Sequence, residues 1–154
     1  ALTHLSKAWE QNHRVSQLTS AKLMETAAAV ERLLEENQAL KSRLHTLEDA
    51  RFAALAQQYR DAGDVLLFEE GLSPDALRRL TGAVQEAAGG RCACFSGEDG
   101  LGYKYAAGLP GGDLRPFVKE LNQALRGRGG GKPEFVQGSV SASRAEIEKF
   151  FAAH

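Results

Sequence analysis

The residues best suited to bind a ligand are glycines that alternate with basic side chains near the carboxyl end of the chain. The cluster consists of Gly127, Gly129, Gly130 and Gly131, interleaved with Arg126, Arg128 and Lys132. Consecutive glycines let backbone N–H groups turn toward one point, and such nests bind anions. The segment is therefore predicted to be a phosphate-binding glycine loop, or else a helix C-cap followed by a flexible turn.

The charge around these glycines supports the phosphate-binding alternative. From Tyr103 to Lys132 there are six Lys and Arg residues against two Asp and Glu, a net charge of +4. The whole chain of 154 residues has a net charge of −1, so a basic coat over the entire surface is excluded. Affinity for phosphate is expected to be local to this stretch.

No self-sufficient active site is visible elsewhere in the sequence. The four histidines form no His-x-x-x-His pair, and one residue separates Cys92 from Cys94, so the spacing of metal ligands is absent. Gly-x-Ser-x-Gly and Walker A motifs are also absent. We therefore predict a binding domain with neither a catalytic centre nor a cofactor among these residues.

The surroundings of the protein can also be inferred from the sequence. No apolar run reaches the roughly 20 residues that span a bilayer, so no membrane partner is expected. The loop between Cys92 and Cys94 is too short to close a disulfide readily, which favours a reducing cytoplasm. The chain begins at Ala1 without a signal peptide, and we interpret it as a fragment of a longer protein.

Composition divides the chain near residue 62. Residues 1–62 contain no Gly or Pro, whereas all 16 Gly and 4 Pro follow from Gly63 onward. A stretch without these residues and rich in Ala, Leu, Glu, Gln and Arg is typical of helix. Two helices are predicted, over about 2–18 and 26–61, in a segment 1–62 that precedes a domain 63–154.

The second predicted helix carries apolar residues at alternating spacings of three and four. They form the a/d seam of a coiled coil, with a single polar member: Val30, Leu33, Asn37, Leu40, Leu44 and Leu47. Asn37 falls at an a position, where a buried Asn fixes register and strand number. The seam predicts either a homodimer or an antiparallel hairpin with the first helix.

The pattern after residue 62 is mixed α/β. Strands are predicted at 64–69, 91–96, 101–106 and 135–136, and helices begin near Ser73, Asp113 and Ser143. The expected core around a short mixed sheet is Phe68, Leu77, Leu80, Val84, Phe95, Phe117, Leu121 and Ile147. Tyr103 and Tyr105 share one strand face, where they either stack on bases or complete the core. The fold class is thus α/β, with a coiled-coil-like helical segment before a small α/β domain.

A longer motif around the glycines resembles a known domain. Residues Gly127-Arg-Gly-Gly-Gly-Lys-Pro-Glu-Phe-Val-Gln-Gly138 resemble the terminal motif of the DHH-associated domain, roughly G-R-G-G-G-R-P-D-x-A-Q-G-G. Lys132, Val136 and Ser139 stand where that pattern has Arg, Ala and Gly. Asn12-His13-Arg14 and residues 30–36 further resemble the segment before the C-terminal domain of AlaX-type editing proteins and alanyl-tRNA synthetases.

The resemblance implies a C-terminal domain that binds tRNA, expected to be alanine tRNA, and that contributes to a homodimer. The implied nucleic-acid contacts are Arg126, Gly127, Arg128, Gly129, Gly130, Gly131, Lys132, Gln137 and Gly138. The parent would be an aminoacyl-tRNA editing hydrolase or an alanine-tRNA ligase. Any zinc would belong to an editing domain outside this chain, because its ligand motif is missing here.

Two alternatives remain open at the level of sequence. DHH phosphoesterases carry a related domain that holds nucleotide or single-stranded substrate, although their Asp and His metal motifs are missing here. The chain is otherwise a pure oligomerisation module in which the glycines are architectural. The leucine seam favours the tRNA-binding or the oligomerisation alternative, and the basic glycine segment favours the two nucleic-acid alternatives.

Overall fold

The computed structural model describes residues Ala1–His154. The helices are α1 (Leu2–Thr19), α2 (Thr26–Gln58), α3 (Pro74–Ala88), α4 (Arg115–Ala124) and α5 (Arg144–Ala152), with a 3₁₀ turn at Leu23–Glu25. The strands are β1 (Gly63–Phe68), β2 (Gly89–Glu98), β3 (Gly102–Gly108), β4 (Arg128–Lys132) and β5 (Phe135–Val140). The predicted α/β class is confirmed, and none of the helices combines the length and apolar character needed to cross a membrane.

The chain forms two compact units, Ala1–Thr46 and Leu47–His154, and their division falls inside α2. In the first unit, Ser20 adopts a left-handed conformation that ends α1. The hydroxyl of Thr26 then donates to Oδ1 of Asn12 at 2.7 Å, which ties the start of α2 to α1. The assignment of separate roles to residues 1–62 and 63–154 stays a prediction.

The seam residues lie on the surface of the single chain. Exposed fractions are 38% for Val30, 47% for Leu33, 65% for Leu40 and 53% for Leu44, and Asn37 is exposed with them. Other large apolar side chains are also exposed: Leu2, Leu5, Trp9 and Leu18 of α1, and Leu47 further along α2. Because α1 leaves its own apolar residues uncovered, it does not bury the seam as the hairpin alternative requires.

The second unit is built on a five-stranded sheet of order β1-β2-β3-β5-β4. Strands β1 and β2 are parallel and are joined through α3, whereas the other neighbours are antiparallel. Helix α3 begins where Oγ of Ser73 accepts from the N–H of Ala76, with Pro74 in the first turn. It ends at Gly89, whose φ of 75° supplies the left-handed cap.

Each face of the sheet packs against helices. On one face, α3 and the end of α2 bury Phe52, Leu77, Leu80, Val84, Cys92 and Cys94. On the other face, α4 and α5 bury Phe95, Tyr103, Tyr105, Leu121, Val136 and Ile147. The thiols of Cys92 and Cys94 are free, and their Sγ atoms lie 3.7 Å apart. The hydrogen bond with Cys94 raises the pKa of Cys92 most, and burial raises it further.

Six of the eight predicted core residues are buried, and two are only half-buried. Phe68 lies on edge strand β1, where the guanidinium of Arg144 covers its ring at 4.4 Å. Phe117 lies on the outer part of α4, beneath the guanidinium of Arg91, also at 4.4 Å. Both rings therefore contact other aromatic side chains of the core and are in addition capped by arginines.

Charged side chains hold the end of α2 against α3. The guanidinium of Arg79 pairs with Glu48, Asp49 and Asp75, and it lies 5.6 Å from the ring centre of Phe52. Phe52 is almost completely buried against α3, so these ion pairs lie at the edge of an apolar contact between the two helices. Hydrogen bonds from arginines of α3 lower the pKa of Asp75.

Candidate nucleic-acid interface

The glycine-rich segment is the edge strand β4 and not the loop that the sequence predicts. Residues Arg128–Lys132 pair antiparallel with β5, and all five are exposed. Isolated from the rest of the fold, three consecutive glycines disfavour a strand. The strand forms because its glycines allow the backbone to lie close against neighbouring groups.

Tyr105 is the main reason for this close approach. The register aligns it with Gly138 of β5 and, across that strand, with Gly129 of β4. A Cβ at Gly129 would collide with the hydroxyl of Tyr105, and one at Gly138 would lie 2.7 Å from Cε1 of the same ring. These two glycines are therefore required for packing, whatever the domain binds.

The other glycines of the motif divide into crowded and open positions. A Cβ at Gly127 would lie 2.8 Å from Cγ1 of Val140, and one at Gly131 would collide with the carbonyl of Phe135. A Cβ at Gly130 would meet nothing within 4 Å. Gly130 is thus the one glycine between residues 127 and 138 that packing does not explain.

Arg126 follows the end of α4, and its side chain is hydrogen-bonded to other residues of the same domain. It adopts a left-handed conformation with φ of 52°, and the N–H of Gly127 donates to the carbonyl of Asn122 at 2.8 Å, which closes the helix. Its guanidinium donates to the carbonyl of Ser141 at 2.9 Å and to Glu146 at 3.1 Å. The pKa of Glu146 is lowered mainly by the backbone N–H of Ser143 and then by Arg126.

Arg128 and Lys132 are exposed and form no ion pair, unlike Arg126. The alternation of β4 places both on the sheet face that carries α3, on either side of Gly130. Gln137 lies beside Gly130 in the register, and its amide donates to the carbonyl of Pro74 at 3.4 Å. The fold therefore presents two free cations on either side of an open stretch of backbone.

The two tyrosines complete the core and do not present rings for base stacking. Tyr103 and Tyr105 are both buried on the face covered by α4 and α5. Burial raises the pKa of Tyr105 to about 12. Burial and a hydrogen bond to Asp99 raise the pKa of Tyr103.

Ion pairs occupy two of the six basic side chains counted from the sequence. Arg115 pairs with Asp113 at 2.7 Å, and Arg126 pairs with Glu146. The basic side chains between residues 103 and 132 that form no ion pair are Lys104, Lys119, Arg128 and Lys132. No group of three or more His, Cys, Asp or Glu side chains is positioned to hold a metal ion.

Sequence reasoning missed two residues that organise this surface. Nδ2 of Asn122 donates to the carbonyl of Gly129 at 3.2 Å, which joins α4 to β4. In the sequence Lys104 is only one of the basic residues of the stretch, whereas the strand register places it in line with Ser139 and Arg128. Short-range sequence patterns do not predict pairing between strands so far apart in the chain. The one available signal was that Ser139 stands where the motif has a glycine.

Comparison with known proteins shows similarity in fold but not in sequence. No protein-family model matches the chain, and no curated protein matches it. RecJ of Thermus thermophilus in complex with Mg²⁺ is similar over 94% of this chain, with a TM-score of 0.60 and 17% identity. An exonuclease RecJ bound to manganese is similar over 84%, with a TM-score of 0.56 and 22% identity. This chain spans 27% and 32% of those two proteins.

The C-Ala domain of Aquifex aeolicus alanyl-tRNA synthetase is similar over 59% of this chain and 84% of its own length. Its TM-score is 0.49 with 18% identity. RecJ is a DHH-family exonuclease, so the fold expected from the resemblance to the DHH-associated domain is confirmed.

Proposed function

We propose that this chain is a tRNA-binding and dimerising domain of an alanyl-tRNA editing protein or of an alanyl-tRNA synthetase-like protein. The observation that carries the proposal is the exposed strand β4, where Arg128 and Lys132 lie without ion pairs beside the open backbone at Gly130. Cations of this kind bind phosphates without reading sequence. The domain contributes no catalytic step, and alanine tRNA is the partner implied by the sequence motif.

The geometry changes which residues of the motif are expected to touch RNA. Gly127, Gly129, Gly131 and Gly138 occupy positions where packing requires a glycine. Arg126 is neutralised by Glu146. We therefore assign the binding energy mainly to the two free cations, and the glycines act by holding β4 in place.

The test is a titration with bulk tRNA at two salt concentrations. Replacing Arg128 and Lys132 together by Ala is expected to weaken binding and to reduce the salt slope by about 1.5 units, since each phosphate contact contributes about 0.7–0.9. The matched control replaces Lys119 and Lys149, two exposed lysines without ion pairs on α4 and α5. It removes the same charge from the helices on the other face of the sheet.

The outcomes separate the proposal from a general charge effect. Weakening by the Arg128 and Lys132 pair alone supports binding at β4. Equal weakening by both pairs would show that only net charge matters, and no weakening by either would leave the oligomerisation module as the better explanation. Both pairs are exposed, so unchanged melting temperatures are expected throughout.

The second candidate is the substrate-binding domain of a DHH phosphoesterase, which the fold similarity to RecJ favours. The sequence of the parent protein distinguishes the two. Zinc-type His and Cys ligands would indicate an editing domain, which would also hold the zinc, and Asp-His-His would indicate a phosphoesterase. Both candidates act in the cytoplasm, in agreement with the two free thiols.

Self-association is assigned to the exposed seam of α2. Val30, Leu33, Leu40 and Leu44 leave between 38% and 65% of their surface exposed in the single chain. Apolar surface of this kind is stabilised by burial against a partner, and a heptad pattern supplies the matching surface in a second copy. We therefore propose that two copies of the chain associate through this seam as a homodimer.

A further inference from the structure

Three residues from three different strands form a straight row on the α3 face of the sheet. Lys104 of β3 is aligned with Ser139 of β5, and Ser139 is aligned with Arg128 of β4. Directly opposed residues of antiparallel strands project their side chains from the same face. The row therefore presents ammonium, hydroxyl and guanidinium groups side by side.

The face that carries this row is fixed by its neighbours. Cys94 and Ala106, two residues before Ser96 and two residues after Lys104, are buried with α3. Side chains alternate along a strand, so Lys104 lies on that face and the buried Tyr103 and Tyr105 lie on the other. All three members of the row are exposed.

The row joins the two free cations of β4 to a third. Lys104, like Arg128 and Lys132, forms no ion pair. Arg128 and Lys132 are about 14 Å apart along the strand, and Lys104 and Arg128 are about 10 Å apart across two strand spacings. Gly130 lies between the first two, and no side chain rises there.

We propose that Lys104 and Ser139 belong to the RNA-binding surface, and that one phosphodiester strand runs from Lys132 past Gly130 to Arg128 and turns toward Lys104. This inference rests on the proposed function. The Ser139 hydroxyl, between two cations, donates to a phosphate oxygen. Lys104, which lies outside the glycine motif, thus contributes one positive charge to the surface, as Arg128 within the motif does.

The surface also has a defined end. Lys104 and Ser139 line a groove at the end of the sheet, and Glu70 and Glu98 line the same groove. Carboxylates repel phosphate, so the bound strand is expected to leave the sheet at Lys104 and not to continue toward these two side chains. Three contacted phosphates give an expected salt slope of about 2–3 units for the unmodified chain.

The experiment compares single variants by titration of a short oligouridylate and of bulk tRNA at several salt concentrations. Lys104→Ala and Arg128→Ala are each expected to reduce the salt slope by about 0.7–0.9 units. Lys119→Ala, on α4, is the matched control and is expected to leave affinity and slope unchanged. Ser139→Ala removes no charge, so it is expected to weaken binding a few-fold with an unchanged slope.

Each outcome has a separate meaning. If Lys104→Ala behaves as Lys119→Ala while Arg128→Ala weakens binding, the inference is overturned and the proposed function stands. If Arg128→Ala has no effect either, both are overturned. Should Lys104→Ala lower the melting temperature, Lys104→Gln keeps most of the side chain, removes the charge and gives the same comparison.

Discussion

The hydroxyl of Tyr105 donates a hydrogen bond to Oδ1 of Asn122 at 3.3 Å, directly behind the glycine strand. Asn122 in turn donates through Nδ2 to the carbonyl of Gly129. A buried tyrosine of the central sheet and a polar residue of α4 therefore fix the position of β4 together. The basic edge of the domain depends on this pair, although neither side chain lies on the surface proposed for RNA.

The ionisation of Tyr105 is expected to destabilise the fold at high pH. Its pKa of about 12 lies above the ordinary tyrosine value because burial disfavours the phenolate. A raised pKa means that the stabilising contribution is complete below about pH 10 and is lost as the pH rises through about 12. Tyr105→Phe should lack this loss, at a cost of about 1 kcal/mol near neutral pH for the missing hydrogen bond.

Urea unfolding at about pH 8 and about pH 11 measures this effect. The stability difference between the unmodified chain and Tyr105→Phe should become smaller at the higher pH. A difference that stays the same at both values would show that Tyr105 does not titrate with a raised pKa.

Substitutions at the adjacent residues Gly129 and Gly130 are expected to have opposite effects on the stability of the fold. Gly129→Val places a side chain against the hydroxyl of Tyr105, so overpacking should destabilise the fold by about 1–3 kcal/mol or more. Gly130→Val enters open space in a strand, where a β-branched residue is favoured, and should leave the melting temperature unchanged or raise it. On the proposed binding surface it should nevertheless weaken tRNA binding.

Thermal unfolding and tRNA titration of both variants test this contrast. A side chain at Gly130 enters open space and is therefore not expected to disturb the fold. Unchanged tRNA affinity in a folded Gly130→Val variant would contradict the proposed path past this residue.

Local capping chemistry was predictable from sequence, whereas the glycine strand was not. A helix begins at Ser143 as expected, and Ser143 forms a capping box with Glu146, which accepts from the N–H of Ser143 at 2.7 Å. Both partners lie within one helical turn, so the motif can be recognised in the sequence. Strand β4 depends on Tyr105, more than 20 residues earlier in the chain. Glycine propensity alone favours a loop, so the tertiary contact overrides the local preference.

The sequence locates the glycines and the basic side chains beside them, since both follow from composition, and that this segment binds nucleic acid stays a prediction. It could not separate the paired Arg126 from the free Arg128, because Glu146 approaches only after α5 folds back. Nor could it find Lys104, which reaches the row through strand pairing.

The exposed seam of α2 should support self-association. Leu40→Lys together with Leu44→Lys would place four charges in a two-stranded seam and is expected to give a monomer. Sedimentation velocity over a range of concentrations measures this directly. A monomeric unmodified chain at high concentration would contradict the homodimer, and retained helical content in the variant would exclude simple unfolding as the cause.

Asn37 provides an independent test of the seam, because its effect depends on where it lies in the assembly. In a paired a-position layer, Asn37→Leu should raise the melting temperature and loosen the control of oligomeric state. Melting curves and sedimentation of the variant distinguish this from a solvent-facing position. No change in either measurement would mean that Asn37 does not set the register.

Arg126 separates the structural role of the motif from its binding role. Its left-handed conformation costs about 1 kcal/mol for a residue other than glycine, whereas its ion pair with Glu146 is exposed and contributes little. Arg126→Ala keeps the strain and loses both the ion pair and the hydrogen bond to Ser141, so it should lower the melting temperature slightly.

Arg126→Gly loses the same ion pair but relieves the left-handed conformation, and its stability should match that of the unmodified chain. Both variants remove the same charge, so thermal unfolding should distinguish them, while tRNA affinity should be equal in both and close to that of the unmodified chain. If both variants weaken tRNA binding and reduce the salt slope as Arg128→Ala does, then the guanidinium of Arg126 leaves Glu146 when RNA binds. The surface would in that case extend beyond β4 to the end of α4.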